Sequence, residues 1–282
     1  MLMSSQASRH AHALLDARAE SRVLPLLSAQ EPLSVSDAYQ IANRIVAIRT
    51  AQGETQVGRK IGFAVRKDMD RYGITDGGEA NTPIWAPIFD TTVRYAQDNH
   101  GIQSLYGALQ PRIEPEIIFK LGSAPPPNAT LDQIADCIEW MAHGFEIVVC
   151  PFTNWEFTVA DVIAGFGLHG MLIIGEPHVL SAATRRNLAM LLTSSSVSLS
   201  CSSDQHAVLR AAGFCNDLLD SPLHALLQLQ RLLKSQPGAA PLRAGEIITT
   251  GTWTDAYPIQ AGQTWITAFS GIALQGLTVG FV

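Results

Sequence analysis

The chain of 282 residues carries a formal net charge of -6, with 47% apolar and only 16% charged residues. This length allows a sizeable core, either in one large domain or in a small domain joined to a larger one. The mild acidity, without a Lys/Arg cluster that could neutralise phosphates, argues against nucleic acid as a partner. The low charged fraction suggests that other subunits cover part of the surface, so we expect a homo-oligomer.

The four cysteines show neither C-x-x-C spacing nor a zinc pattern, which predicts buried thiols in a reducing compartment. Residues 1–22 carry scattered charges and lack the apolar segment of a secretory signal. The apolar stretch 162–175 is too short to span a bilayer and contains His169. We therefore expect a soluble, cytoplasmic protein without a membrane span.

Two helices are predicted in an N-terminal helical segment, residues 1–56. The first covers residues 5–27, which are rich in Ala, Leu and Arg. The second begins with Ser34 or Ser36 as its N-cap and has an apolar stripe that includes Ile41, Ile45 and Ile48. It ends near Gly53, since glycine suits the end of a helix.

Residues 57–282 change in character and predict a single β-rich catalytic domain. Strands are predicted at 58–65, 113–121, 145–149, 170–174, 197–199, 247–250, 265–269 and 277–281. Helices are predicted at 131–141, 182–192 and 222–235. Many strands with few, irregularly placed helices indicate an α+β fold, not a regular series of βαβ units.

Two glutamates stand at i and i+2 in the apolar run 112–119. Side chains alternate along a strand, so Arg112, Glu114 and Glu116 should project from one face. Two like charges side by side need a compensating cation, and carboxylates suit Mg²⁺ or Mn²⁺. Glu146, in the apolar run 145–149, is a candidate third ligand. The alternative is an ordinary solvated strand face, or glutamates paired with Arg112.

Two further segments contain candidate functional groups. Lys60 lies between Gly58 and Gly62, and a lysine in an apolar pocket can titrate near neutrality and serve as a general acid or base. The alternative is an exposed strand lysine. Thr249, Thr250 and Gly251 end a strand where backbone N–H groups could approach a carboxylate, or where the chain simply turns.

Two histidines carry no catalytic assignment. His169 is flanked by glycines but fits a hydrogen-bonded core histidine, and His143 fits the C-terminal end of a helix. The glycine patterns at 77–78 and 165–167 lack the strand–turn–helix context of a phosphate or dinucleotide site.

Taken in order, four segments resemble the 2-keto-4-pentenoate hydratase group of the fumarylacetoacetate hydrolase superfamily. They are residues 58–62 (GRKIG), 109–117 (LQPRIEPEI), 145–148 (FEIV) and 248–251 (ITTG). The likeness runs from residue 58 to the C-terminus, and the N-terminal helices fit the hydratase branch.

The resemblance implies a fumarylacetoacetate-hydrolase-like fold in which Glu114, Glu116 and Glu146 hold Mg²⁺ or Mn²⁺. The ion would chelate a 2-oxo acid and stabilise the dienolate formed when a 2-hydroxy-dienoate ketonises. Lys60 would transfer the proton, and conjugate addition of water would give a 4-hydroxy-2-oxo acid. By the same resemblance, Arg112 would orient a carboxylate, and Thr250 and Gly251 would lie near the substrate carboxylate.

The chain departs from the hydratase pattern at three positions. Gly165 and Phe166 stand where hydratases tend to carry an acid and an amide, and Pro83 stands where many keep an acid. These changes remove polar groups that could hold water or a second carboxylate. The metal strand is kept, so 2-oxo acid chemistry is still expected.

Four functions follow from these observations. The first is a metal-dependent hydratase that acts on a small 2-hydroxy-alkadienoate from the breakdown of aromatic or steroid rings. The second is a 4-oxalocrotonate-type decarboxylase, which needs the same stabilised dienolate. The third is an acylpyruvate C–C hydrolase, although the H-x-x-E pair that it normally needs is not evident ahead of the metal strand. The fourth is a catalytically silent partner subunit of an active hydratase or decarboxylase.

Overall fold

The computed structural model describes residues 4–64, 75–76, 79–80, 83–203, 206–215 and 219–282. The described helices are α1 (Ser4–Ala19), α2 (Leu27–Gln30), α3 (Val35–Ala51), α4 (Leu131–Asp136), α5 (Val159–Ala164), α6 (Ala182–Arg186), α7 (Leu188–Thr193) and α8 (Pro222–Ser235). Short 3-10 turns lie at Asp90–Thr92, Thr153–Trp155 and Phe166–Leu168. Residues 65 and 77–78, which belong to a predicted strand and a glycine pattern, lie outside the described ranges.

Strands outnumber helices, which confirms the α+β class. In chain order they are β1 (Gln56–Gly62), β2 (Thr75–Asp76), β3 (Glu79–Ala80), β4 (Ile84–Phe89), β5 (Val93–Tyr95), β6 (His100–Gln103), β7 (Arg112–Leu121), β8 (Ile138–Val148), β9 (His169–Ile174), β10 (His178–Val179), β11 (Ser196–Ser202), β12 (Ala207–Phe214), β13 (Ile247–Thr252), β14 (Tyr257–Pro258), β15 (Thr264–Ser270) and β16 (Thr278–Phe281).

A large mixed sheet forms the centre of the molecule. Its strand order is β4-β1-β13-β7-β8-β9-β5, with β10 paired to β8 and β14 to β7. A five-stranded sheet, β12-β11-β15-β16-β6, packs on one of its faces. Ile113, Phe145 and Ile147 enter the apolar cluster between the two sheets. Because side chains alternate, Glu114 and Glu146 point to the opposite face of the large sheet.

Local sequence signals explain the two best-defined helices. Helix α3 begins where the Ser34 side chain accepts a hydrogen bond from the amide of Asp37, which confirms Ser34 as the N-cap. Gly53, just beyond the helix, has φ +94°, a conformation that glycine adopts without strain. Helix α8 is capped by Ser221, with Pro222 at its first turn, and its bounds match the prediction.

The structure corrects three predicted elements. The first helix ends at Ala19, and Leu24 then bridges to Phe152, so a single helix over residues 5–27 is wrong. The helix predicted over 131–141 ends at Asp136, and Ile138 already begins β8. The helix predicted over 182–192 is divided between α6 and α7.

One hydrophobic core includes residues of α1 and α3 together with residues of α8 and the large sheet. The division of the chain at residues 56 and 57 stays a prediction. All four cysteines are free and buried. Within the described ranges, no helix has the length and hydropathy needed to cross a membrane.

Candidate functional site

Three glutamates meet on one face of the large sheet. Glu114 and Glu116 lie on β7, and Glu146 lies on β8 directly opposite Glu114. One carboxylate oxygen from each of the three lies within 4.8 Å of the others. Glu116 and Glu146 are buried, and Glu114 is partly buried. The solvated strand face is therefore excluded as the setting of these side chains, and the cluster offers a set of hard oxygen donors suited to Mg²⁺ or Mn²⁺.

The buried carboxylate of Glu116 is held by one oxygen only. Its Oε2 accepts a hydrogen bond from the amide of Gly251 at 2.8 Å and another from the Thr249 hydroxyl. No hydrogen-bond partner for its Oε1 is found in the part of the chain that the structure describes. A buried carboxylate oxygen without a partner is costly, and a cation would satisfy it. The residues present thus fit a divalent ion.

Glu146 is held by a histidine on one side and a lysine on the other. Its Oε1 accepts a hydrogen bond from Nδ1 of His169 at 2.7 Å. Its Oε2 lies 2.9 Å from Nζ of Lys60, which is itself buried. On the far side of the imidazole, Nε2 of His169 lies 2.9 Å from the hydroxyl of Thr92. The carboxylate is consequently fixed in orientation before any ion binds.

The charges of the cluster determine its pKa values. Burial, followed by the charges of Glu146 and Glu114, raises the pKa of Glu116 well above its usual range. Burial alone would raise the pKa of Glu146, but Lys60 and His169 outweigh it and the pKa is lowered. Burial alone would lower the pKa of Lys60, but the three glutamates outweigh it and the pKa is raised. A Lys60 that titrates near neutrality is therefore wrong for this arrangement, because its partners keep it an ammonium ion.

A cavity of about 380 Å³ opens beside the glutamates. Lys60, Glu114, Arg112 and Gly251 line it together, and its volume suits a small organic acid. The Arg112 guanidinium lies 3.9 Å from the centre of the Trp155 ring. The remaining wall has an apolar part and a polar part. The apolar part includes Phe63, Ile84, Phe157, Val162 and Leu168, and the polar part includes Thr252, Thr254 and Asp255.

Thr250 is placed differently from the other predicted substrate-binding residues. Its hydroxyl donates to the carbonyl oxygen of Ile117 at 2.9 Å, and it is not among the described residues that line the cavity. The neighbouring Thr249 instead donates to Glu116. The sequence pattern identified the threonine–glycine turn but not which hydroxyl faces the glutamates, because a bulge interrupts the alternation of β13 here.

The two histidines differ from their sequence-based interpretations. His169 is a buried, hydrogen-bonded histidine as expected, but its partner is the Glu146 carboxylate, a candidate metal ligand, and not an ordinary core group. His143 lies within β8, so a position at a helix C-terminus is wrong. Its Nδ1–H donates to the carbonyl oxygen of Glu116 at 2.9 Å, and burial lowers its pKa to about 4.

The three departures from the hydratase pattern are not among the described residues that line the cavity beside the glutamates. Gly165 and Phe166 line a second cavity, whereas Gly167 and Leu168 line the first. The Phe166 ring stacks on Phe89 with 5.8 Å between centres. Pro83 is buried directly before β4.

Comparisons with known proteins agree with this geometry. The chain is 28% identical over 257 residues to a 4-oxalocrotonate decarboxylase of a Pseudomonas species, covering 90% of this chain and 91% of that protein. It is 26% identical over 271 residues to a 2-hydroxyhexa-2,4-dienoate hydratase of Comamonas testosteroni, covering 96% and 94%. No protein-family model matches the chain.

A solved structure with the same fold is 4-oxalocrotonate decarboxylase from Pseudomonas putida G7, complexed with magnesium and adipate. The TM-score is 0.87 and the identity 21%, over 100% of this chain and 99% of that chain. Over nearly its whole length the chain is thus similar to a 4-oxalocrotonate decarboxylase and to 2-hydroxy-dienoate hydratases, the group that its sequence motifs resemble.

Proposed function

We propose that this protein is a divalent-metal-dependent hydratase, a hydro-lyase that adds water to a 2-hydroxy-2,4-dienoate. The reaction would pass through the 2-oxo enone tautomer and give a 4-hydroxy-2-oxo acid. One observation carries the proposal: three carboxylate oxygens converge within 4.8 Å, and the Lys60 ammonium group touches one of these carboxylates beside a cavity. The likeness to hydratases over nearly the whole chain supports it.

Glu114, Glu116 and Glu146 would hold Mg²⁺ or Mn²⁺. When bound, the ion would act as a Lewis acid that withdraws electron density from the 2-oxo acid. Within this arrangement the protein fixes the Glu116 carboxylate at one oxygen, and it fixes the Glu146 carboxylate through His169 at one oxygen and Lys60 at the other. The apolar side chains of the cavity wall, such as Ile84, Val162 and Leu168, would contact the carbon chain of the substrate.

Lys60 would move the proton. Because its partners keep it protonated, it is poised to donate to the terminal carbon of the diene as the 2-hydroxy group is converted to the ketone. When water adds at C4, it would give one proton to the neutral Lys60 amine, and C3 would take up the proton released from the 2-hydroxy group. Arg112 and the turn at Gly251, which both line the cavity, would orient the substrate carboxylates, with Arg112 itself oriented by Trp155.

A second candidate is decarboxylation of a 4-oxalocrotonate-type 2-oxo diacid. Loss of CO₂ from the distal carboxylate leaves the same dienolate that a hydratase stabilises. The observation in its favour is the overlay along the full chain, at a TM-score of 0.87, with a 4-oxalocrotonate decarboxylase. Gly165 and Phe166 do not line the cavity that contains Lys60, so they do not decide between the two reactions.

One assay separates the two reactions. Purified protein with Mg²⁺ is mixed with 2-hydroxypenta-2,4-dienoate and, separately, with 2-oxo-hex-3-enedioate. Loss of the diene absorbance with formation of a 4-hydroxy-2-oxo acid supports the hydratase, and release of CO₂ from the diacid supports the decarboxylase. Inactivity on both substrates, with divalent ion bound, contradicts both proposals and leaves a silent partner subunit. We also propose that the protein acts in the cytoplasm as a homo-oligomer.

A further inference from the structure

Arg18, near the end of α1, reaches the first residues of β9. Its Nη1 donates to the carbonyl oxygen of His169 at 2.7 Å, and its Nη2 donates to that of Gly170 at 2.9 Å. The contact joins residues that are 151 positions apart in the chain. A guanidinium that binds two successive carbonyls fixes both the position and the direction of the strand, because its donors form a rigid planar fork.

The position of Arg18 is not explained by an ion pair with a carboxylate. Among the described residues, no carboxylate forms an ion pair with Arg18, whereas Arg49 pairs with Glu54 close by. Burial, followed by the charge of Arg49, lowers the pKa of Arg18 to about 10, so the environment does not favour its charge. Because this environment disfavours a charged guanidinium, we expect Arg18 to have a specific role.

The role of Arg18 concerns His169. Its backbone is fixed by Arg18, and its ring is fixed between Thr92 and Glu146. Because a carboxylate only accepts hydrogen bonds, Nδ1 of His169 must carry the hydrogen that Glu146 receives. A displacement of this backbone would therefore move the donor that sets the angle of the Glu146 carboxylate.

We propose that Arg18 is a positioning residue for the ion site, acting through the backbone of His169 on the orientation of Glu146. The inference rests on the proposed metal site and adds the N-terminal helix to it. Partners that orient a metal ligand typically contribute 10- to 100-fold to metal affinity. Since Arg18 acts one residue further out, we expect a smaller factor, about fivefold.

The test is a double-mutant cycle on Mn²⁺ affinity, measured by calorimetry on the full chain. Arg18→Met keeps the aliphatic stem and removes the fork, and we expect its dissociation constant to rise about fivefold. His169→Ala should raise the constant further. In the His169→Ala background, adding Arg18→Met should have no further effect, because the path to Glu146 is already broken.

Controls separate a positioning role from a structural one. His12→Ala changes an exposed residue of the same helix and should leave Mn²⁺ affinity unchanged. His169→Asn can still place a donor near Glu146 and should restore part of the affinity lost in His169→Ala. If Arg18→Met does not fold, Arg18→Lys, which supplies one donor group in place of the fork, takes its place in the cycle and should give an intermediate constant.

The outcomes are distinct. If wild-type protein binds no divalent ion, the proposed metal site fails. If wild-type protein binds Mn²⁺ and the Arg18 variant binds within about twofold of it, or if the effects of the two substitutions multiply, only the role of Arg18 is overturned. A fall in unfolding free energy without a change in affinity would show a purely structural residue, which also overturns it.

Discussion

Glu114 and Glu146 face each other directly across the antiparallel pair β7 and β8. Two carboxylates in opposed positions repel, and such cross-strand pairs of like charge are destabilising. Their repulsion is tolerable because Lys60 compensates part of the charge and a divalent ion would compensate the rest. The opposed pair of glutamates therefore lowers the stability of the ion-free protein and favours binding of a cation.

Replacing Glu114 by glutamine should separate these two effects. Glu114→Gln removes one charge and one ligand, so we expect Mn²⁺ affinity to fall at least about 100-fold while the ion-free protein melts at the same or a higher temperature. Calorimetry and thermal unfolding, each with and without Mg²⁺, measure this. Glu139→Gln, on the exposed part of β8, is the matched control and should change neither. Unaltered Mn²⁺ affinity in Glu114→Gln would remove Glu114 from the ligand set.

Replacing Lys60 should abolish turnover and spare ion binding. General acid–base groups contribute about 10²–10⁴-fold, so Lys60→Met should lower kcat by at least about 100-fold. Mn²⁺ affinity should be kept or improved, because a competing cation has been removed from Glu146. Steady-state kinetics and calorimetry on the same preparation test both parts. Lys120→Met, at the partly exposed end of β7, controls for loss of a strand lysine. Near-normal kcat in Lys60→Met would exclude proton transfer by this residue.

Gly167 should be sensitive to the addition of a single methyl group. It has φ +61°, and a Cβ there would lie 2.9 Å from Cβ of Ala86 and 3.2 Å from Cδ of Lys60. We expect Gly167→Ala to displace the Lys60 side chain and lower kcat about 10-fold or more, with Mn²⁺ affinity maintained. Gly53→Ala is a suitable control, since Gly53 also has positive φ but open space around its Cβ position. Equal kcat values for the two variants would contradict the steric argument.

The stability of the protein should fall with acid in a range set by His143. Its pKa is lowered to about 4 in the folded protein by burial, against 6.5 in the unfolded chain. Between these values the unfolded state binds more protons, so the stability is fully present above pH 6.5 and is lost as the pH falls toward 4. The loss due to this group amounts to about 3 kcal/mol.

Urea unfolding of the ion-free protein between pH 4 and pH 7.5 measures this loss. His143→Asn can keep a donor for the carbonyl of Glu116 but does not titrate, so its pH curve should lack this component. The difference between the two curves isolates His143 from other acid-sensitive groups. Parallel curves would show that His143 does not contribute.

Much of the local structure followed from the sequence, and the failures share one cause. Helix α8 matched its predicted bounds because its cap, proline and leucine stripe all agree. Residues 138–141 follow a capped helix and could extend it locally, but pairing with β7 and β10 makes them a strand. Strand β4, which contains Pro87, was not predicted, and it forms by antiparallel pairing with β1. Pairing with strands distant in sequence therefore determined the structure of residues 138–141 and of β4.

Local sequence patterns were likewise sufficient for only part of the candidate site. Alternation along β7 was sufficient to place Glu114 and Glu116 on one face, and the structure agrees. Nothing in local periodicity identifies the strand that pairs opposite them. Glu146 was a candidate because it is a lone acid in an apolar run, and the family resemblance implied the same ligand. The contacts of Arg18 and His169 join distant segments through hydrogen bonds, which leave no periodic signal.

The bulge in β13 has a consequence for how this protein can change over evolutionary time. Within three residues, the Thr249 hydroxyl and the Gly251 amide bind Glu116 while the Thr250 hydroxyl binds the neighbouring strand. An insertion or deletion there would separate all three contacts at once. Aliphatic side chains of the cavity wall, such as Ile84 and Val162, pack without hydrogen bonds of this kind. New substrate preferences should therefore arise by substitution of side chains in the cavity wall, while the number of residues in this turn stays fixed.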